Sequence, residues 1–405
     1  MPRHNHQILL TLAMFIIAPL PTYASSNGNT PDSNTIYLIA NVDLAYPTQN
    51  VIDVYLAQES QLTFQAEIST GGYGIQGGYF GTSRLASVPS ISAPCVYVSD
   101  AGSNDVAGFS LQTQKFAGTF AASQTDNGGA NGIGLAMNSN YLYASFTSSN
   151  TIATYALGGD CSLSFLGDVS ALGLGGGSIS GMAVNDKLLV VAYGDGSIQS
   201  FNVSGGMPVA NNDLQNSTAS ANGAGGIAIF PTAVDLTGDG KFALFGDIAP
   251  ATIIEVSRLA GNKLHRTSVY TVGVQSDAGT IRLSPDQSLL YITNNESATV
   301  TAAFFDSYNG KLRPGCVSAP LSGFNGRPWY GSVVARDTTG TGNLLYVAEY
   351  GRDQAEINHG ASSAIGVLGV TSDGTTCTLS ETNTSPVLLT FPGTLSLGVY
   401  PPRPF

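Results

Sequence analysis

The sequence predicts an all-β chain closed into a seven-bladed propeller of four-stranded antiparallel blades. Three observations predict it. Only 10% of the 405 residues are charged, against about a quarter in ordinary globular chains, while glycine (49) and tyrosine (18) are abundant. That is the composition of short strands and turns, since helices draw on Ala, Leu, Glu and Lys. One apolar hexad recurs at intervals of 46 to 59 residues, a propeller period. The first copy also lacks a strand that the far end of the chain supplies.

The hexads are Ile36–Asn41, Cys95–Asp100, Tyr141–Phe146, Leu188–Tyr193, Phe242–Asp247, Leu289–Asn294 and Leu344–Glu349. A polar turn rich in Gly, Ser and Asn follows each, and those residues accept tight backbone geometry. A second apolar segment then alternates as a half-buried strand does, in Asp105–Phe109, Thr151–Tyr155, Ser197–Phe201 and Thr299–Phe304. Upstream of the hexads lie segments of small residues suited to the crowded axis of a ring: Gly132–Met137, Ile179–Val184, Ala278–Leu283 and Tyr330–Ala335. The hexad at Ile36 has no such predecessor, whereas Leu395–Tyr400 matches one. The C-terminal strand is therefore expected to complete blade one, leaving no open sheet edge. Two longer insertions interrupt the repeat, Gly71–Gly81 and Tyr350–Ser362.

Ahead of the repeats stands an export signal: Arg3, an apolar run from Ile8 to Leu20, then Thr22-Tyr23-Ala24 with small residues at −3 and −1. The expected organisation is a signal peptide over 1–24 and one propeller domain over 25–405, secreted or periplasmic. The apolar run is short for a membrane span, so no membrane association is expected after cleavage. The formal net charge of −12 argues against nucleic acid and anionic lipid as partners. A monomer that takes a small-molecule or glycan ligand is expected.

Four cysteines allow three pairings. On the repeat map Cys95 begins the second strand of blade two, and Cys161, Cys316 and Cys377 fall near the starts of the outermost strands of blades three, six and seven. Strand starts of these two kinds share one side of the ring. Cys95–Cys161 and Cys316–Cys377 would then each staple adjacent blades, with four unpaired thiols as the alternative. Neither Cys-x-x-Cys nor Cys/His spacing suggests zinc, and no metal or cofactor is expected.

Candidate chemistry concentrates after the seventh hexad, where Glu349, Tyr350, Arg352, Asp353, Glu356 and His359 crowd a chain otherwise poor in charge. Carboxylate, guanidinium and imidazole together supply a base, an oxyanion clamp and an acid; a solvated loop making its own salt bridges is the alternative. Glu349, His359, Arg352 and Arg282 form the candidate catalytic set. Arginine on an inner strand is unusual, and Arg84 and Arg282 are such cases. Arg327-Pro-Trp329 enters another inner strand. Arg84, Arg327, Trp329, Tyr350 and Asp277 form the candidate substrate-binding set, because arginines at a channel mouth grip carboxylates bidentately. Inter-blade salt bridges are the structural alternative. His265 reads as an outer-strand surface residue. Asp235–Lys241 hints at a calcium loop but lacks EF-hand spacing and reads as a turn. Gly173–Gly177 looks like a phosphate loop, but no Lys-Ser/Thr follows.

The run Ala278-Gly-Thr-Ile-Arg-Leu-Ser-Pro-Asp-Gln-Ser-Leu-Leu-Tyr-Ile-Thr-Asn-Asn resembles the repeat of the seven-bladed lactonase family, which includes 6-phosphogluconolactonase-like enzymes and carboxymuconate cyclases. Fainter copies cover most of the chain beyond the signal. The resemblance implies a pocket at one mouth of the ring, where His, Arg and Glu act on a lactone or a cyclic or sugar acid. Glu349-Tyr-Gly-Arg-Asp aligns with the family's Asn-Arg-Gly-His-Asp, with Tyr350 and Arg352 at its Arg and His positions. The family's Pro-His-x-His element has no counterpart, since the corresponding inner strands read Gly132-Ile-Gly-Leu and Ile179-Ser-Gly-Met. Two functions follow: an exported lactonase-like hydrolase, or a non-catalytic propeller that binds a small molecule, glycan or protein at the ring mouth.

Overall fold

Each blade is organised around its hexad. In a computed structural model of the chain, residues 36–75, 85–87, 94–121, 132–217, 231–247, 251–275, 278–294, 297–322, 333–336, 343–349, 364–389 and 396–400 are described. The second strands are Ile36–Asn41, Cys95–Asp100, Tyr141–Phe146, Leu188–Tyr193, Phe242–Asp247, Leu289–Asn294 and Asn343–Glu349. Their side chains are almost all buried, because each strand lies mid-sheet between two neighbouring blades. Complete burial of one such Val, Leu, Ile or Phe contributes about 1.5–3 kcal/mol.

Third strands pair antiparallel with them in the order the repeat predicts: Val51–Gln58, Asp105–Ser110, Thr151–Leu157, Ser197–Asn202, Thr252–Ala260, Thr299–Asp306 and Ala364–Ser372. On the other side lie the inner strands Leu85–Ser87, Ile133–Met137, Ile179–Val184, Pro231–Leu236, Ala278–Leu283 and Val333–Arg336 for blades two to seven. Blade one takes its inner strand from the C-terminus: Ser396–Tyr400 pairs with Ile36–Asn41, Leu397 opposite Ala40. Inner strands touch one another in ring order from blade one round to blade seven and back. No helix occurs among the described residues, so none is long and apolar enough to cross a membrane.

The blades adhere through apolar wedges. Tyr97 packs against Ile133, Leu135 and Leu142 of blade three, and Tyr346 of blade seven against Leu38 and Tyr55 of blade one. The Thr384 hydroxyl of blade seven donates to the Ser60 carbonyl of blade one at 2.5 Å, an additional tie across the closure. Blade four departs from the pattern. Its outer strand shrinks to the dipeptides Val209–Ala210 and Gln215–Asn216, and Asp213 between them reaches blade five. There its carboxylate accepts from the Leu264 amide at 2.8 Å while also holding the Ser200 amide at 2.9 Å.

Both expected disulfides are present, Cys95–Cys161 between blades two and three and Cys316–Cys377 between blades six and seven. Spans of 66 and 61 residues correspond to on the order of 4 kcal/mol each in the chain-entropy description. One placement differs from the sequence reading. Cys316 is the penultimate residue of its outer strand, Lys311–Val317, rather than near its start. The turn through Asn309 and Gly310, with Gly310 at φ 72°, starts that strand earlier than the repeat spacing suggests. His265 lies exposed on the outer strand Lys263–Gly273, as expected.

Candidate functional site

In an antiparallel four-stranded blade, the turn between second and third strands and the crossover to the next blade emerge on the same face. Segments 42–50, 70–75, 101–104 and 171–178 therefore share one face of the ring, and second strands end there. Glu349 closes the second strand of blade seven at this face, opposite Ala364, and is 1% exposed. Room for its carboxylate comes from Gly366 on the adjacent strand, where a Cβ would collide with Glu349 Oε1. Blade seven thus buries a carboxylate in space that only glycine leaves open.

Arg282 lies elsewhere. It is the penultimate residue of the blade-six inner strand and pairs with Tyr291, whereas Ala278 pairs with Asn294, the blade-six counterpart of Glu349. Three residues of strand separate those levels, about 10 Å at roughly 3.3 Å per residue. The structure therefore does not bring Arg282 to the level of Glu349. Arg282 instead faces Asp235 of blade five, its Nη1 3.9 Å from Asp235 Oδ1. The Asp235 carboxylate is buried, and its other oxygen accepts from the Leu283 amide at 2.8 Å. Sequence reasoning had placed Asp235 only in a turn motif. A signal was available: Asp235 and Arg282 each stand seven residues before their blade's hexad, so the repeat puts them on neighbouring inner strands at one height. His359, Arg352, Arg84, Arg327, Trp329, Tyr350 and Asp277 lie outside the described residues.

The rest of the Asp235–Lys241 motif is a turn. Thr237 Oγ1 accepts from the Lys241 and Phe242 amides at 3.1 and 3.0 Å, and Lys241 Nζ meets Asp239 at 2.7 Å. The glycine run Gly173–Gly177, which only looks like a phosphate loop, is filled from within the chain. Asp195 Oδ2 accepts from the amides of Gly175 and Gly177 at 2.6 and 3.1 Å, and Asp195 Oδ1 from Ser197. A missed feature lies between blades one and two. Asn50 Nδ2 donates to Asp100 Oδ1 at 2.7 Å, and Asp100 is completely buried. Burial pushes the Asp100 carboxyl up to about 7 against hydrogen bonds with the side chains of Asn50 and Thr70, and the charges of Asp105 and Asp43 add to the rise. Asp53 on the blade-one third strand is pushed up to about 6 by burial and by Glu67 across the strand pair. Among the described residues no group of three or more His, Cys, Asp or Glu side chains is arranged to hold a metal ion.

Fold and face together define a closed seven-bladed propeller that carries buried acids beneath a loop-bearing mouth. Residues 90–397 match the family model described as lactonase, 7-bladed beta-propeller, and the chain belongs to that family. Its architecture is similar to that of a putative 6-phosphogluconolactonase from Bacteroides fragilis, at 15% identity over 92% of this chain and 99% of that one, with a TM-score of 0.64. A putative 6-phosphogluconolactonase from Bacteroides uniformis gives 14% identity over 90% and 99%, with a TM-score of 0.66. A functionally unknown protein from Desulfotomaculum acetoxidans gives 13% over 91% and 99%, with a TM-score of 0.63. At such identities the likeness is one of fold. No curated protein matches the sequence.

Proposed function

We propose that the protein is an exported lactonase-like hydrolase acting on a small lactone or the lactone of a sugar acid at the loop-bearing mouth. The observation that carries this reading is Glu349, a buried carboxylate at the mouth of a lactonase-family propeller, seated over Gly366. In this reading Glu349 takes a proton from water as the water oxygen attacks the lactone carbonyl. The ring C–O bond then breaks, the departing alkoxide recovers the proton, and a hydroxy acid leaves. The neighbouring Arg352 and His359 are assigned to the carbonyl oxygen and to proton return, by their place in the sequence beside Glu349. Export rests on the N-terminal signal pattern and is compatible with two disulfides, which persist in oxidising compartments.

The test is a panel of aldonolactones with turnover followed by proton release. Wild type should hydrolyse at least one member, and Glu349→Gln should lower kcat/KM by about 100-fold, the scale of a lost general base. Turnover untouched by that change, or none across the panel, overturns the assignment. The second reading, a propeller that only binds its ligand, is favoured by the absence of histidine from the inner strands Ile133–Met137 and Ile179–Val184. It predicts saturable lactone binding without acid release.

A further inference from the structure

The two disulfides staple comparable junctions in different surroundings. Cys95 and Cys161 are 1% and 3% exposed and belong to the apolar core between blades two and three, together with Tyr97, Leu135 and Leu163. Cys316 and Cys377 are half-buried and only border the core between blades six and seven. Their neighbours along the chain, Gly315 and Val317 on one strand and Thr376 and Thr378 on the other, are exposed. Gly315 offers no side chain to cover the bridge; a Cβ there would stand 3.1 Å from Cys377 Sγ. Thiol–disulfide exchange begins when a thiolate reaches a sulfur, so access decides which bridge reacts.

The accessible bridge encloses most of blade seven. Between Cys316 and Cys377 lie its inner, second and third strands, Val333–Arg336, Asn343–Glu349 and Ala364–Ser372. The remaining ties on the outer side of this junction face solvent. The exposed Arg313 guanidinium lies 3.7 Å over the Phe304 ring and donates to the Gly374 and Thr375 carbonyls, and the exposed Ser322 donates its amide to Glu381 at 3.0 Å. Such hydrogen bonds exchange readily for bonds to water and contribute little net stability. Beneath them Leu289, Tyr291 and Val300 of blade six pack with Leu345, Val347 and Leu368 of blade seven. That apolar wedge keeps the ring closed when the bridge is open. The outer strand of blade seven, reduced to Cys377–Glu381 and the dipeptide Val387–Leu388, then loses its covalent anchor.

We propose that Cys316–Cys377 is a thiol-sensitive latch on blade seven, opened by a dithiol reductant while Cys95–Cys161 stays closed. One thiolate of the reductant attacks a sulfur of the bridge, and the other cysteine leaves as a thiolate. The second thiol of the reductant then displaces the protein from the mixed disulfide. The reductant ends as a disulfide and the protein as two thiols, with two electrons and two protons transferred. Opening loosens the outer strand and, through its pairing, the third strand that carries Gly366. The latch goes beyond the lactonase reading and does not depend on it.

The experiment is timed reduction of the intact protein with dithiothreitol, without denaturant, at about pH 8, where the reductant supplies thiolate. Free thiols are blocked with N-ethylmaleimide and located by peptide mass. Cys316 and Cys377 should be labelled about tenfold or more sooner than Cys95 and Cys161. Protein opened at this bridge alone is then followed by hydrogen exchange. Exchange should quicken about tenfold in Ala364–Ser372 and Cys377–Glu381 and stay unchanged in Cys95–Asp100 and Thr151–Leu157. The double variant Cys316→Ser, Cys377→Ser should show the same pattern without reductant; if it does not fold, the reduced wild type carries the test. Labelling of all four cysteines together, or of Cys95 and Cys161 first, overturns the latch. Unchanged exchange in blade seven after opening, or unfolding of the whole ring, overturns it too. Neither measurement uses a substrate, so a protein that hydrolyses nothing still tests the proposal.

Discussion

Two glycine-rich crossovers on the loop-bearing face look alike in sequence and behave oppositely. Gly71–Ile75 leads from blade one to blade two, and Gly173–Gly177 from blade three to blade four. Each closes over an aspartate of the blade it enters, Asp100 in the first and Asp195 in the second. In the second, the amides of Gly175 and Gly177 point at the carboxylate. In the first they point elsewhere: Gly72 donates to Thr70 Oγ1, Tyr73 to Ser103 Oγ and Gly74 to the Leu44 carbonyl, and Asp100 is met by the side chains of Asn50 and Thr70 instead of by the crossover amides. Burial raises the Asp195 carboxyl, but the Ser197 hydroxyl and amide together with the Gly177 and Gly175 amides outweigh it and hold the group below its ordinary value, whereas Asp100 is pushed up to about 7. Glycine content marks close approach in both. The donors that meet each carboxylate, the crossover amides among them, decide which charge state the approach favours.

The largest expected effect tests what the two crossovers share. A Cβ at Gly74 would stand 2.5 Å from the backbone carbonyl of Asp43, and one at Gly177 would collide with the backbone nitrogen of Asp195. Backbone cannot rotate aside as a side chain does, so Gly74→Ala and Gly177→Ala should each cost about 1–3 kcal/mol in urea unfolding. Gly176 is the control within the same loop. Nothing lies within 4 Å of its Cβ position, and only its φ of 84° opposes alanine, at about 1 kcal/mol. Gly74→Ala as stable as wild type would remove the claim of enforced contact in the first crossover.

A comparable effect, readable only against pH, tests what they do not share. Asp100 has a folded value of about 7 against an ordinary 3.8, so the folded state holds the proton more tightly. Its contribution is complete below about pH 4 and is lost as pH rises through about 7. Wild type should accordingly lose on the order of 2 kcal/mol between pH 5 and pH 8 from this group. Asp100→Asn, which cannot ionise, should lack that part of the loss. The variant should match wild type near pH 5 and exceed it at pH 8. Parallel pH curves for the two proteins would show that the first crossover covers an ordinary carboxylate.

How much of this was legible follows the range of each interaction. The hexads were legible because a second strand is buried by its own repeat, and the repeat is visible in one sequence. Ring closure by Ser396–Tyr400 followed from a missing inner strand at Ile36. The disulfide partners followed from repeat position, even though Cys316 sits at the other end of its strand. Asp195 was not legible as the occupant of the Gly173–Gly177 loop, because its 18 to 20 residues of separation cross a strand pair and carry no motif. Glu349 stood out by local charge density, but its pocket depends on Gly366 across the strand pair. The Asp235–Arg282 pair was within reach had the inner strands been aligned by distance to the hexad.

The smallest expected effect belongs to Asp195, and its sign completes the contrast. Burial disfavours its charge, but the Ser197 hydroxyl and the amides of Ser197, Gly177 and Gly175 favour it more, so the carboxyl lies below 3.8. A depressed folded value gives stability that is present above the unfolded value, near pH 4, and lost as pH falls through the folded one. Asp195→Asn replaces one acceptor oxygen with a donor that faces amides. The side chain is half-buried, so solvent screens part of the loss, and about 1 kcal/mol is expected at pH 7. That cost should shrink below pH 4, where wild type itself surrenders the charge. The two aspartate-to-asparagine variants therefore move in opposite directions at neutral pH, one gaining stability and one losing it. Urea midpoints at pH 3, 5 and 8 measure both. If Asp195→Asn also gained stability at neutral pH, the amides of the second crossover would not be holding an ionised carboxylate, and the distinction drawn from their direction would fail.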